Sequence, residues 1–377
     1  MKMQNPFVEY GYYGEEYFCD REKETSELTD ALLNGSNVTL MAPRRIGKTG
    51  LIHHVFEKIK KKDKNVQCFY ADIFPAKTFN QMVELITNAV MGKLDTKSQS
   101  LKRKFNQFIS SMRPTMSADP QSGLPTFSFT IEPSQSRQTL EQVFNYIKAS
   151  EQTCFLALDE FQQVGTFKEI GADAYIRSII QFVPNLHIIF SGSQQHLLSE
   201  MFMSPKHPFF NSSQIMTIKE IPIDNYYEFA NRFFMTQARE IPLEMFTYLY
   251  EAVDGQTWYI QKILNRLFRT SDKKLEIQAV NRVINDIVAE QEIYFLNIYN
   301  LMTANQAKLV TAIAKEGVVG KPTEQAFIHK YHLPAASSIS TAIKTLKNNE
   351  IIYQKLNGEY IVYDRFFSIW LKRIGIS

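Results

Sequence analysis

Eight consecutive residues, Ala42 to Thr49, constrain the fold of this chain more than any other segment. They read Ala-Pro-Arg-Arg-Ile-Gly-Lys-Thr and follow the P-loop pattern, except that Ala42 stands where the first glycine usually lies. The apolar run Val38 to Met41 precedes them, and a stretch with helical spacing begins at Gly50. A strand, a phosphate-binding loop and a helix in this order predict the core of a nucleotide-binding domain.

This loop supplies most of the predicted ligand contacts. Its backbone N–H groups and the helix N-terminus would cradle phosphate oxygens, and Lys48 would reach the terminal phosphates as a catalytic cation. The Thr49 hydroxyl would ligate Mg²⁺. Of the two arginines, Arg45 is predicted to contact the nucleotide and Arg44 to make a structural pair. The predicted nucleotide-binding residues of the loop are Arg45, Ile46, Gly47, Lys48, Thr49 and Gly50.

Composition bounds the class of protein. With 377 residues, 44% of them hydrophobic, the chain predicts two or three domains rather than one. The sequence has no apolar run of membrane-spanning length and no secretion-signal pattern at its N-terminus, which predicts a cytoplasmic protein without a membrane partner. The three cysteines are far apart and form no CxxC pair, so neither a disulfide framework nor a zinc site is indicated.

The first 221 residues predict an α/β domain with a parallel sheet. Helical stretches near 79–94, 140–149 and 173–182 separate apolar runs that have the character of buried strands, and this alternation is typical of βαβ units covered by helices on both faces. The residues 97–138 interrupt it as a polar, proline-containing insertion, interpreted as a mobile loop or hairpin. The predicted strands after the loop are Val66 to Ile73, Thr153 to Leu158, Leu186 to Phe190 and Ile215 to Ile221.

Beyond Pro222 the pattern changes to helices. Residues 222–292 predict a small helical lid domain, because amphipathic segments follow one another and are broken at Pro242 and Asp254-Gly255. Residues 293–377 predict three helices and then a hairpin around Asn357-Gly358, which is the winged-helix layout. The predicted domains are therefore 1–221, 222–292 and 293–377.

Polar residues at the ends of two predicted strands complete the predicted site. Asp159 ends a hydrophobic run and would hold Mg²⁺ through water at the carboxyl edge of the sheet. Glu160 would orient and deprotonate the attacking water as a general base. Ser191 follows the next run, where its hydroxyl would contact the γ-phosphate or that water as a further catalytic residue.

These motifs together resemble the archaeal-type ATPases of the AAA+ and STAND lineage, which also occur widely in bacteria. The resemblance rests on four segments and spans nearly the whole chain, since members carry a helical lid and a C-terminal winged helix. It implies ATP rather than GTP, and it implies that Phe18 and Arg21 lie near the adenine. It also implies that the turn at Asp254 to Tyr259 approaches the nucleotide from the lid. The four segments are Phe18 to Arg21, Ala42 to Thr49, Leu156 to Gln162 and Phe190 to Ser193.

Two departures from the family pattern separate the functional hypotheses. The lid turn has Gly255-Gln256-Thr257 instead of Gly-x-Pro, and no arginine occurs in Phe209 to Ser213, where related chains often carry one that completes a neighbour's site. This favours a slowly hydrolysing ATP-dependent switch over a ring motor. The alternative is a nucleotide-binding scaffold with little turnover whose winged helix docks a protein. Both a monomer and a nucleotide-dependent oligomer remain open.

Any basic face lies in the C-terminal part of the chain. From Phe295 onward there are 10 Lys and Arg against 5 Asp and Glu, while the whole chain has a net charge of only +3. The third helix and the wing would present a polar, basic face to double-stranded DNA or to a protein partner. The predicted DNA-contacting residues are Ser338, Thr341, Lys344, Lys347 and Lys355.

Overall fold

The computed structural model describes residues 4–91, 113–118, 125–169, 171–270, 274–355 and 357–375. Within it the chain divides into two compact units. One consists of Tyr10–Glu220, and the other of Met1–Glu9 together with Ile221–Ser377. The first nine residues therefore do not belong to the unit of the phosphate loop, although the predicted 1–221 domain included them. The further division into lid and winged helix stays a prediction.

The first unit is built on a five-stranded sheet in the order β2-β5-β6-β1-β7, in which every pairing is parallel. A separate antiparallel pair is formed by β3 and β4. The strands are β1 (Val38–Met41), β2 (Gln67–Asp72), β3 (Arg113–Ala118), β4 (Pro125–Thr130), β5 (Cys154–Asp159), β6 (Leu186–Gly192) and β7 (Gln214–Thr217). The helices are α1 (Glu22–Leu33), α2 (Lys48–Lys62), α3 (Phe79–Val90), α4 (Ser136–Ala149), α5 (Ala172–Ile180) and α6 (Gln195–Met203), with short 3₁₀ turns at Glu15–Tyr17, Pro133–Gln135 and Phe161–Thr166.

Helices cover both faces of this sheet. Successive side chains along a strand point to opposite sides, so one strand contributes to two cores. In β5, Phe155 and Ala157 pack with residues of α1 and α2. Leu156 and Leu158 pack in the other core, with residues of α3, α4, α5 and α6. The near-continuous apolar strands of the sequence thus correspond to a parallel sheet covered on both sides. This confirms the predicted α/β class.

The described part of the predicted insertion contains a hairpin. Strands β3 and β4 pair antiparallel, from Arg113 opposite Thr130 to Ala118 opposite Pro125. The end of the hairpin is bonded to α3, where Phe129 N donates to Asn88 Oδ1 and Ile131 N donates to Glu84 Oε1. The helix that follows begins at Ser136, within the predicted insertion, and residues 97–112 and 119–124 lie outside the described ranges.

The second unit consists of helices and one small hairpin. Its helices are α7 (Ile223–Met235), α8 (Leu243–Ala252), α9 (Thr257–Arg269), α10 (Ile277–Glu290), α11 (Glu292–Asn300), α12 (Ala304–Glu316), α13 (Gln325–Lys330), α14 (Ala336–Asn348) and α15 (Arg365–Ile374). The hairpin pairs β8 (Ile352–Gln354) with β9 (Tyr360–Val362). Three helices followed by a hairpin confirm the layout predicted for the C-terminal part.

Aromatic side chains and one ion pair hold this unit together. Phe7 is fully buried, with its ring between 5.4 and 6.5 Å from those of Phe229, Phe233, Phe234 and Phe268. Rings at these separations add to the stabilisation from buried area. On the opposite side of α9, the buried Arg365 pairs with Asp254 at 2.5 Å, and its backbone N–H donates to Tyr259 Oη. The turn that precedes α9 is thereby fastened to the C-terminal helix.

No helix among the described residues is long and apolar enough to cross a membrane.

Candidate nucleotide-binding site

The candidate site lies along the carboxyl edge of the five-stranded sheet. Parallel strands end at the same edge, so the residues after β1, β5 and β6 come together there. Because β6 lies between β1 and β5, its Ser191 sits between the phosphate loop and the acidic pair Asp159-Glu160. The phosphate loop, which is 110 residues from Asp159 in sequence, and Ser191, which is 32 residues from it, therefore form one site with the acidic pair.

The phosphate loop has the backbone needed to hold an anion. Gly47 has φ 101° and caps α2, while Arg45 has φ 67°, in the left-handed region that a non-glycine residue seldom occupies. Such strained residues cluster at functional sites. The Ile46 side chain is buried in the core, whereas Arg45 is exposed.

Lys48 is a buried cation in this loop. Its side chain is 6% exposed, and its Nζ donates to the carbonyl oxygens of Ala42 at 3.2 Å and Pro43 at 3.4 Å. Burial lowers the pKa of Lys48, and the charges of Glu160 and Asp159 only partly oppose this. A desolvated ammonium beside N–H groups at a helix start is suited to bind a polyanion.

Asp159 is the centre of a hydroxyl cluster. Its Oδ2 accepts from Thr49 Oγ1 at 2.9 Å and from Tyr70 Oη at 2.6 Å, and its Oδ1 accepts from Ser191 Oγ at 2.6 Å. Burial raises the pKa of Asp159. The Lys48 charge and these three hydrogen bonds together lower the pKa by more than burial raises it, so the net shift is downward. The carboxylate is therefore charged at neutral pH.

The residues present fit a magnesium ion. Thr49 and Asp159 offer hard oxygen atoms, which Mg²⁺ prefers, and Thr49 is exposed. Across the described ranges, no group of three or more His, Cys, Asp or Glu side chains could hold a metal ion. A site with one or two protein oxygens is typical of Mg²⁺ bound together with substrate phosphates and water.

Glu160 is held by Gln162 and Ser193. It also has a positive φ, 57°, and its Oε2 accepts from Gln162 Nε2, Ser193 N and Ser193 Oγ at 2.5, 3.2 and 2.7 Å. Ser191 is fully buried and donates to Asp159, and its predicted contact with the γ-phosphate or the attacking water stays a prediction. The hydroxyl next to the general-base candidate is that of Ser193.

Phe18 and Arg21 lie beside the loop and the start of α2. The Phe18 ring stacks on His54 at 4.3 Å and lies 3.4 Å from the place a Cβ on Gly50 would take. Arg21 is buried and donates to the carbonyl oxygen of Ile46 at 3.2 Å and to Glu24. Arg21 thus supports the loop backbone, while the adenine contact of both residues stays a prediction.

Three residues of this site were not singled out from the sequence. Tyr70 belongs to an apolar strand and looked like core, but its hydroxyl reaches the same Asp159 oxygen as Thr49. Gln162 and Ser193 are part of recognised motifs, yet spacing alone assigned them no role. Gln162 lies three residues after the end of β5 and Ser193 one residue after the end of β6, and a polar residue close behind a strand end was the available signal.

The predicted DNA-contacting residues divide into two groups. Thr341 and Lys344 are exposed and lie three residues apart on α14, where they share a face. Ser338, Lys347 and Lys355 are half-buried, and Lys347 Nζ donates to Gln354 Oε1 of β8 at 2.8 Å. The exposed basic face is therefore smaller than predicted.

The sheet order and the site at its edge place this unit among the P-loop ATPase domains. Residues 18–263 match the model of a family described as ATPase domains predominantly from Archaea, and the chain belongs to this family. Residues 293–373 match a probable winged helix domain. Among curated proteins, no significant match is found.

Solved structures show the same fold. The Walker-type ATPase of Pyrococcus abyssi is similar with a TM-score of 0.68 and 16% identity, covering 97% of this chain and 99% of its own. The Aeropyrum pernix ORC2 protein, in ADPNP and ADP complexes, has a TM-score of 0.57 and 13% identity over 100% and 99%. The Aeropyrum pernix ORC1 protein in complex with DNA has a TM-score of 0.53 and 14% identity over 98% and 96%.

Proposed function

We propose that this protein binds and hydrolyses ATP with Mg²⁺ and acts as a nucleotide-dependent switch. The observation that carries the proposal is the hydrogen bond of 2.9 Å between Thr49 Oγ1 and Asp159 Oδ2, 110 residues apart in sequence. It brings the loop hydroxyl and the strand-end carboxylate together, as Mg²⁺ bound to a nucleoside triphosphate requires. The Aeropyrum pernix relative in ADPNP and ADP complexes supports the nucleotide class.

Each polar residue of the site has a proposed role in ATP binding or hydrolysis. Lys48 and the N–H groups at the start of α2 bind the phosphates. Thr49 and, through water, Asp159 would hold Mg²⁺, which would supply positive charge beside the phosphates. Glu160 accepts a proton from the attacking water, and Ser191 keeps Asp159 oriented. Phe18 and Arg21 are proposed to lie on the adenine side of the loop.

Phosphate release from ATP tests the activity directly. We expect slow turnover with ATP and Mg²⁺, and at least a ~100-fold loss when EDTA removes the metal, because general-base and electrostatic contributions of this size depend on the assembled site. Turnover per chain that rises steeply with protein concentration would indicate a site shared between subunits. ATP binding without Mg²⁺-dependent turnover would favour the scaffold alternative, which the missing arginine in Phe209 to Ser213 also supports.

The winged helix is proposed to contact double-stranded DNA or a protein partner. Residues 295–377 carry 10 Lys and Arg against 5 Asp and Glu, and α14 exposes Thr341 and Lys344. The Aeropyrum pernix ORC1 relative, which was solved in complex with DNA, supports the DNA choice. We also propose that residues 222–292 form a lid domain separate from the winged helix of residues 293–377. A cytoplasmic location is likewise a proposal.

Charge reversal in the full chain tests the DNA contact. Lys344→Glu should weaken binding to a double-stranded oligonucleotide about 10-fold at 50 mM salt and flatten the salt dependence, since one phosphate contact is lost. Lys308→Glu, an equal charge change at an exposed site on α12, is the matched control. An equal loss of DNA affinity in both variants would mean that net charge, and not a contact of Lys344, causes the effect. Unchanged DNA affinity in both variants would contradict the DNA contact and favour protein docking.

A further inference from the structure

The carboxylate of Glu160 is held at one oxygen only. Oε2 accepts hydrogen bonds from the Gln162 amide and from both the backbone and the hydroxyl of Ser193. Within the described part of the chain, Oε1 accepts none. Gln162 is 3% exposed and Ser193 is 1% exposed, so water competes little with these bonds. Three donors at one oxygen fix the plane of the carboxylate and leave the other oxygen for a proton.

The Ser193 hydroxyl has a defined direction. Arg44 Nε donates to Ser193 Oγ at 3.3 Å, and Ser193 Oγ donates to Glu160 Oε2 at 2.7 Å. A hydroxyl has a single proton, so accepting from the guanidinium directs that proton to Glu160. Hydrogen bonds in such a chain polarise one another, which strengthens the contact with the carboxylate.

Gly192 makes room for the Gln162 amide. A Cβ at residue 192 would lie 2.0 Å from Gln162 Oε1 and 2.8 Å from Leu198 Cδ1. Any other residue would displace the amide from its present position. Among the described residues Gln162 Oε1 is buried without a hydrogen-bond partner, which costs free energy, and the hydrogen bond from Nε2 to Glu160 offsets part of that cost.

We propose that Gln162 and Ser193 are positioning residues that orient Glu160, so that Oε1 takes the proton of the attacking water. This rests on the proposed role of Glu160 as general base. The backbone of Glu160 is left-handed, with φ 57°. Neither residue needs to touch the nucleotide for this role.

Two variants that remove donors test the proposal. Gln162→Met and Ser193→Ala should each lower kcat for ATP about 10-fold and change KM less than 2-fold, because the base is disturbed and the phosphate contacts are not. Ser193→Thr, which keeps the hydroxyl, should restore kcat.

Exposed residues of the same types provide matched controls on α5 and beside it, namely Ser178→Ala and Gln181→Met. Melting temperatures verify folding of every variant. If Glu160→Gln turns ATP over at the normal rate, the base assignment itself fails. If Glu160→Gln is inactive while folded Gln162→Met and Ser193→Ala keep the normal kcat, the assignment of Glu160 as the base stands and the positioning role is overturned.

Discussion

Glutamine in place of Glu160 should stop phosphate release while ATP still binds. An amide of nearly the same size accepts no proton from water, and a positioned general base contributes about 10²–10⁴ in rate. The side chain of Glu160 receives its donors from Gln162 and Ser193, outside the phosphate loop, so the loop should be unaffected. Phosphate release under single-turnover conditions, together with the dissociation constant of a fluorescent ATP analogue, measures both quantities.

The neighbouring acid offers a comparison. Asp159→Asn should weaken the Mg²⁺ dependence of nucleotide binding, because Asp159 rather than Glu160 contacts Thr49. A Glu160→Gln variant that loses ATP affinity as severely as turnover would mean that Glu160 holds the ligand. Turnover within 3-fold of the unaltered protein would mean that another group activates the water.

Methionine in place of Lys48 should abolish tight ATP binding and at the same time stabilise the ligand-free protein. Binding should weaken at least 100-fold, since a desolvated cation beside the phosphates is lost. Stability should rise because burial lowers the pKa of Lys48, so the folded chain holds the charged form at a cost. A gain of about 1 kcal/mol corresponds to a melting temperature higher by ~2–4 °C in a unit of this size.

The sign of the pH dependence follows from the lowered pKa of Lys48. The cost of the charge is complete below the folded pKa and disappears as pH rises toward the ordinary value of 10.5. The difference in melting temperature between Lys48→Met and the unaltered protein should therefore shrink with rising pH. Lys62→Met, at an exposed position on the same helix, should change neither affinity nor stability. A destabilised Lys48→Met would show that the carboxylates need this cation for folding.

Much of the fold could be predicted because its signals are local. The loop, the apolar strands and the helical spacing identified the α/β class, and the Asn357-Gly358 turn predicted the hairpin between β8 and β9. Helix ends were less accurate. The helix after the insertion begins at Ser136, earlier than the predicted 140, because its first turns are polar. Apolar periodicity registers only the buried face of a helix.

The partners of the site residues could not be predicted. Whether Ser191 or Ser193 reaches Glu160 depends on the position of β6 between β1 and β5 and on the bend that follows it. Tyr70 reaches Asp159 from β2, the neighbour of β5 in the sheet. Strand order depends on packing among segments that are distant in sequence, so local patterns in one sequence do not predict it.

The sequence by itself determined the class of this protein, because a phosphate loop is a contiguous segment whose backbone geometry follows from its own residues and the helix behind it. The strand-end acids and the helix–hairpin pattern of the C-terminal part are equally local. Only the tertiary structure decided which hydroxyl serves which carboxylate, that Phe7 packs in the helical unit, and that Arg365 holds Asp254. Those contacts join residues far apart in the chain, and their geometry exists only after the cores have packed.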